Sequence, residues 1–281
     1  MIEKILNSIK AIPAFPETVQ RLMILLNRED YSVQELATVV KYDQAVTANV
    51  LRIANSAYFG LREKVKSVEQ ALSLLGRKNL IRTIQTAGVS KIFRAVPARG
   101  YVTTGSELWQ HSVAVALMSQ ILSRRIRGEE DDVLYTAALL HDVGKMIMGE
   151  YVEEAMTAIM DKVTQQGYSF LEAEEEVFGI NHAELGGKIA EKWKYPEEIR
   201  DAIRYHHRPD LLSEDRPVPW FVHLSDQFAS LMGVDGGIDG LACRALEQTI
   251  PMFQLRHKDL ETCFILLHQD MDRAKDVMNL V

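Results

Sequence analysis

Apolar residues recur at intervals of three and four along nearly the whole chain, and this spacing constrains the fold more than any other feature of the sequence. From Glu17 to Asn27, Val19, Leu22, Met23 and Leu26 fall at i, i+3, i+4 and i+7, one face of an amphipathic helix. Pro13 and Pro16 ahead of it suit an extended lead-in. Ser32 and Glu35 have capping-box spacing before a second stripe of Val33, Leu36 and Val40. A third helix is expected from about Gln44 to Asn55. Ser67 and Gln70 repeat the box, Val68, Ala71, Leu72 and Leu75 form the face to be buried, and Gly76 is placed to stop that helix. Residues 94–105, with Pro97, Gly100 and Gly105, read as a linker. Thr104 and Glu107 then open a long helix through Arg125, and further helices are expected at 131–148, 150–166, 170–177, 182–194, 197–207, 218–232 and 257–278. No stretch alternates in the manner of a half-buried strand. The expectation is an all-α chain with a helical part at 1–100 and a second helical domain at 101–281.

Bulk properties narrow the class. The chain has 281 residues, 47% of them hydrophobic, enough to build a large core. No apolar run approaches the roughly 20 residues that span a bilayer, and the first residues have no apolar core of a signal peptide. Cys243 and Cys263 are too few for a disulfide framework and suit buried apolar filling, so a cytoplasmic protein without a membrane partner is expected. The net charge of -7 is unevenly spread. Residues 1–100 carry 15 Lys and Arg against 8 Asp and Glu, and residues 101–281 carry 17 against 31. Such asymmetry marks either an electrostatic interface or two solvated surfaces of different composition.

Several motifs in the first half occur in a recognisable order. IPAFPETVQRLMILLN is followed by SVQELATVVKYDQAVTANVLRIANSAYFG and then by SVEQALSLLG. Over roughly residues 10–210 the chain resembles the HDOD family of bacterial signalling proteins. That resemblance implies a helical bundle followed by an HD-type helical domain. Read as residues alone, Asn55 and Ser56 are suited to bonding nearby backbone at a helix end, Gly60 permits a turn, and Tyr58 and Phe59 are expected to wedge into a core.

The second half holds a sparse, ordered set of His111, His141-Asp142, His182, His206-His207 and Asp226. No cysteine joins them, which disfavours a zinc-finger type of site, and imidazole with carboxylate suits iron, manganese, nickel or zinc. Each has a plainer reading. A lone helical His packs or caps, His206-His207 lies at a helix end where cations favour the dipole, and Asp226 could pair with a base. His223, His257 and His268 are assigned to such structural roles.

The order resembles that of the HD superfamily, with LLHDVGK supplying the doublet and HLSDQFA the closing carboxylate. INHAELGGKIAEKW and IRDAIRYHHRPD are similar to later ligand segments of HD-GYP phosphodiesterases. The resemblance implies two divalent transition-metal ions, iron or manganese in first place. His111, His141, Asp142 and Asp226 would hold one, His182, His206 and His207 the other, and Asp142 would bridge. Glu107, four residues before His111, matches a ligand of the three-metal variant, although a capping role beside Thr104 fits it equally. Asp142 and Lys145 are the residues implied for chemistry, Lys145 as a neutraliser of phosphate charge or simply a solvated lysine. A pair of ions can activate water and clamp phosphoryl oxygens. The Arg208-Pro209-Asp210 sequence after the His pair departs from the Gly-Tyr-Pro continuation of the HD-GYP enzymes and counts against cyclic di-GMP as a substrate.

Three functions follow. One is a regulatory module that keeps the site and engages a signalling partner or a phosphate-containing small molecule. A second is a metal-dependent phosphohydrolase. A third, binding nucleic acid through Arg62, Lys64, Lys66, Arg77, Lys78 and Arg82, is disfavoured by a pI of 5.7.

Overall fold

The computed structural model describes residues 1–9, 21, 25, 32–41, 43–95, 100–101, 106–213, 215–237 and 249–279. The helix expected at Glu17–Asn27 lies outside the described residues apart from Arg21 and Leu25, as do Cys243, Thr104 and most of the 94–105 linker. Among the described residues every regular element is helical and none is a strand. The helices are α1 (Ile2–Ser8), α2 (Val33–Lys41), α3 (Gln44–Ala54), α4 (Val68–Ala95), α5 (Glu107–Arg127), α6 (Asp132–Leu140), α7 (Lys145–Gln166), α8 (Phe170–Phe178), α9 (His182–Lys192), α10 (Glu197–Tyr205), α11 (Pro217–Leu231), α12 (Thr249–Met252), α13 (His257–Arg273) and α14 (Lys275–Met278). A 3-10 turn at Pro209–Leu211 lies between α10 and α11. No helix among the described residues is long and apolar enough to cross a membrane.

The chain forms two compact units, residues 1–12 with 96–268 and residues 13–95 with 269–281. In the latter, α3 and α2 pack on α4 around Val40, Val46, Val50, Ile53, Ala71 and Ile84. The capping box is present at α2, where Ser32 N–H donates to Glu35 at 2.7 Å and Glu35 N–H to Ser32 at 3.2 Å. At α4 only half of it forms. Gln70 N–H donates to Ser67 Oγ at 3.1 Å, while the Gln70 side chain accepts from Lys66 N–H at 2.8 Å. Gly76 does break the helix, with φ 73 and ψ 170, but helical geometry resumes at once and α4 runs on to Ala95. The apolar positions after it, Leu80, Ile81 and Ile84, are buried and carry the helix past the break. Asn55 fastens the next loop, donating to the Leu51 and Val65 carbonyls and accepting from Val65 N–H at 2.7 Å. Tyr58 and Phe59 are not core residues as expected. They sit half-buried in an edge-on pair, because the tight turn at Gly60 (φ 57) follows them immediately.

The larger unit is built around α5, buried on every side from Leu108 to Ser123 except at Gln110. A helix with no solvated face must sit inside a ring of others. It packs on α6 and α11, and α10 in turn packs on α6, α9 and α11. Each large apolar side chain buried here, such as Val113, Met118 or Leu122, contributes about 1.5–3 kcal/mol. The break expected near Gly149 falls instead at 141–144, where Val143 N–H bonds Leu140 O and Lys145 N–H bonds Asp142 O, three residues back.

Buried Asp259, in α13, accepts from Arg125 Nε at 3.0 Å and from Arg256, and these partners hold its carboxyl below the usual carboxylate range. A depressed carboxylate stabilises the fold above its unfolded pKa of about 3.9, and that contribution is lost as pH falls through the lower folded value. Asp259→Asn is therefore expected to melt below wild type at pH 7, with the gap narrowing under pH 4. A gap independent of pH would show that the charge is irrelevant.

Candidate metal centre

Five helices deliver the side chains. His111 projects from the buried α5. His141 and Asp142 occupy the turn that ends α6, His182 opens α9, His206 and His207 end α10, and Asp226 lies on α11. On a regular helix consecutive residues point about 100° apart. The turns at 141–144 and 206–207 let each adjacent pair face one place. The close approach of α9 explains the glycine at 144, where a Cβ would lie 1.8 Å from the His182 carbonyl oxygen.

All seven residues are buried, from 0% exposed at His141, His182 and His206 to 8% at His207. They form two groups with ligand atoms within 4.8 Å of one another: Asp142, His182, His206 and His207, and His111, His141 and Asp226. Asp142 faces both. Its Oδ1 lies 3.5 Å from His182 Nε2 and 3.6 Å from His206 Nε2. Its Oδ2 lies 3.3 Å from His141 Nε2 and 3.6 Å from His111 Nε2. Asp226 Oδ1 is 3.2 Å from His111 Nε2 and 4.0 Å from His141 Nε2. Lys145, 3% exposed, sets its ammonium 2.8 Å from Asp142 Oδ2. Glu107 is half-buried at the first position of α5 and belongs to neither group.

The imidazoles are oriented from behind. Nδ1–H of His111 donates to the Val234 carbonyl at 2.7 Å, that of His141 to Ala138 at 2.8 Å, and that of His206 to Ile203 at 2.8 Å. His182 Nδ1–H donates to Glu174 at 2.8 Å. A carbonyl can only accept, so Nδ1 carries the hydrogen in these rings and Nε2 is left as a lone pair aimed inward. The inward nitrogens of His111 and His141 are 3.2 Å apart and those of His182 and His207 3.0 Å apart. The first two are both lone pairs and need a positive charge between them, a proton or a metal ion, whereas in the second pair His207 Nε2 can carry a hydrogen and donate it to His182. Asp142 Oδ1 and His206 Nε2 are moreover buried without a hydrogen-bond partner. The donor set therefore fits divalent metal.

The titration behaviour agrees. Burial pushes His206 down to about 4, and burial with the neighbouring His206 and His182 holds His207 well below the usual imidazole range, so both are bare and ready to ligate. Burial also opposes charge on His111 and His182, but Asp226 and Glu174 respectively outweigh it and raise them. Burial would raise Asp142 and Asp226, yet the surrounding cationic and imidazole groups hold both below the carboxylate range.

Three supporting residues were not read as neighbours of the site. Glu174, fully buried, accepts from His182 through both the backbone N–H and Nδ1. Its signal lay in the helical spacing, since it shares the inward face of α8 with Phe170, Ala173 and Phe178. His223, assigned a structural role, does donate Nδ1–H to the His206 carbonyl at 2.7 Å and so fixes the His206-His207 turn. Gly236 lies directly over the centre, for a Cβ there would stand 2.8 Å from His111 Cδ2, 2.9 Å from Asp142 Oδ2 and 3.0 Å from Lys145 Nζ. On another side, His207 lines a groove of about 730 Å³ between α8, α9 and the 3-10 turn, whose walls mix Lys188, Arg204 and Arg208 with the carboxylates of Glu172, Glu175, Glu184 and Asp210.

The family model of the HDOD domain matches residues 12–209. Among solved structures, an HDOD domain protein of unknown function from Geobacter sulfurreducens is 23% identical, with a TM-score of 0.75 over 100% of this chain and 99% of that one. A protein from Shewanella amazonensis described as a candidate phosphohydrolase is 20% identical, with a TM-score of 0.74 over 97% of each chain. One from Marinobacter aquaeolei described as a candidate signal transduction protein is 22% identical, with a TM-score of 0.77 over 98% of this chain and 60% of that one. At these identities the likeness is one of fold. The chain spans only 41% and 14% of the lengths of the first curated relatives that it matches.

Proposed function

The chain belongs to the HDOD domain family, and from that membership and the two facing ligand groups we propose that it is a bacterial signalling protein that binds two divalent transition-metal ions and uses them to hold a regulated conformation. His111, His141 and Asp226 would hold one ion, His182, His206 and His207 the other, and Asp142 would be shared. Iron or manganese suits this imidazole and carboxylate set best, with zinc or nickel next. Lys145 would balance charge at the shared carboxylate. The observation that carries the regulatory reading is closure: every ligand is buried and the backbone at Gly236 lies against His111, Asp142 and Lys145. A centre covered in this way is suited to holding structure and answering a partner. The Marinobacter neighbour's description supports the same direction. The proposal places the protein in a reducing cytoplasm, where buried Cys263 remains a thiol.

A second reading is favoured by the groove at His207, which gives a small phosphate-containing molecule a way to one edge of the centre. The ions would then supply a nucleophilic oxygen and charge neutralisation for slow phosphoester hydrolysis, with Lys145 beside the phosphate. The absence of the Gly-Tyr-Pro segment after His207 argues that cyclic di-GMP is not a good substrate.

Elemental analysis of the purified protein together with a panel of phosphodiesters, nucleotides and cyclic di-GMP separates the two, with His141→Ala as control. The regulatory reading expects two bound ions and no turnover. Metal-dependent cleavage of any member of the panel that disappears in His141→Ala would establish the second reading, and fast cleavage of cyclic di-GMP would overturn the substrate argument.

A further inference from the structure

Tyr101 lies in the connection between α4 and α5, yet only 1% of it is exposed. Its hydroxyl donates to Glu174 Oε1, the other oxygen of the carboxylate that accepts from His182 N–H at 2.9 Å and from His182 Nδ1–H at 2.8 Å. The Tyr101 ring also stands edge-on to the His182 imidazole with centroids 5.9 Å apart, leans on Phe170 at 5.7 Å, and has Lys145 Nζ 5.5 Å from its centre. Backbone holds it on two sides. Gly100 (φ 84) is pressed on α7, where a Cβ would be 2.5 Å from Gly149 O and 2.6 Å from Glu153 N, and a Cβ on Gly237 would be 2.3 Å from the Tyr101 carbonyl. A fully buried carboxylate among Phe170, Ala173 and Phe178 is costly unless its oxygens are engaged. Here three hydrogen bonds engage it, two of them to one histidine of the candidate centre.

On the metal-binding reading above, we infer that Tyr101 and Glu174 are positioning residues that fix the His182 ring and thereby set the affinity of one ion, that of Asp142, His182, His206 and His207. The hydrogen bonds of the relay end on His182 and not on His111, His141 or Asp226, so the other ion is reached only indirectly, through the shared Asp142, and is affected much less. Outer partners of this kind orient the ligand and raise its basicity, and their loss typically weakens metal binding about 10–100-fold. Because Tyr101 is held by these bonds, they tie occupancy of this ion to the seating of Gly100 and Tyr101. Coupling of this sort is reciprocal, so binding the ion must in turn hold Tyr101 in place.

The test is a titration of the metal-free full chain with cobalt(II), followed by its visible absorption bands, on wild type, Tyr101→Phe, Glu174→Ala and Glu174→Gln. Wild type should fill in two steps. Tyr101→Phe and Glu174→Ala should each weaken one step by about 10–100-fold with an altered band for that ion and leave the other step within about 2-fold. Glu174→Gln, whose amide oxygen can still accept from Nδ1–H, should recover part of the loss. Hydrogen exchange of a peptide covering Gly100 and Tyr101 should slow with the affected step and not with the other. Folded Tyr101→Phe protein with both steps unchanged, or with both weakened alike, would refute the relay. Wild type that takes up fewer than two ions would overturn the metal reading itself.

Discussion

Asp142→Ala should abolish uptake of both ions, whereas His207→Ala should cost one. Asp142 offers Oδ1 to one group of imidazoles and Oδ2 to the other, at 3.3–3.6 Å on either side. Deleting it removes the only ligand that the two groups share, together with the negative charge that offsets two cations in a buried space. It also leaves the buried Lys145 ammonium without the carboxylate 2.8 Å away. Removing one partner of a buried ion pair costs about 3–5 kcal/mol, so the metal-free variant should itself melt earlier. Ions that bind only the folded state stabilise it by about 2.7 kcal/mol at a hundredfold excess over Kd. Wild type should therefore show a metal-dependent rise in melting temperature that Asp142→Ala lacks. Metal analysis after chelator challenge reads the result directly. Two ions retained by the variant would rule out the bridge, and loss of a single ion would mean that Asp142 serves one group alone.

Gly144→Ala should be the most damaging single methyl group in the larger unit. The residue has φ -64 and ψ -29, ordinary right-handed helical values, so chain entropy alone predicts that alanine stabilises by about 0.4–1 kcal/mol. The collision reverses the sign. The added Cβ would meet the His182 carbonyl oxygen at 1.8 Å and Gly186 N at 2.8 Å, both backbone atoms of α9 that cannot rotate away. Overpacking typically costs about 1–3 kcal/mol, and a backbone obstacle puts this case at about 3 kcal/mol or above. That corresponds to a fall in melting temperature of roughly 6–12 °C for a unit of this size. The same displacement moves His182, so metal uptake should fail along with stability. Gly128→Ala is the contrast, since Gly128 has φ 80 and open space around it, and it should cost about 1–2 kcal/mol through backbone strain with metal uptake intact. A Gly144→Ala melting temperature at or above that of Gly128→Ala would show that α9 yields more readily than its geometry implies.

By itself the sequence determined the helical class, the place of most helices and the order of the seven candidate ligands. Each of these is local. Apolar spacing of three and four, a Ser with a Glu three residues on ahead of a helix, and a histidine beside an aspartate can be read within a few residues, and the cap at Ser32 forms as that reading requires. Tertiary structure alone decided the rest. The turn at 141–144 brings Gly144 so close to α9 that no side chain fits there, and no apolar period reports the distance between two helices. Glu174 stands on a core face that the periodicity does show, but its partner is eight residues away on another helix. Tyr101 sits in a stretch that reads as a linker, and its burial depends on Phe170, His182 and Gly237, which the chain reaches only later. Gly236 lies between two expected helices, and nothing near it in the sequence tells that a Cβ there would stand 2.8 Å from His111 Cδ2 and 2.9 Å from Asp142 Oδ2. Hydrogen bonds and excluded volume act over a few ångströms in space whatever the separation in sequence, so the ligand types were legible in the chain, while their convergence, tautomers and cover came from the packing of five helices.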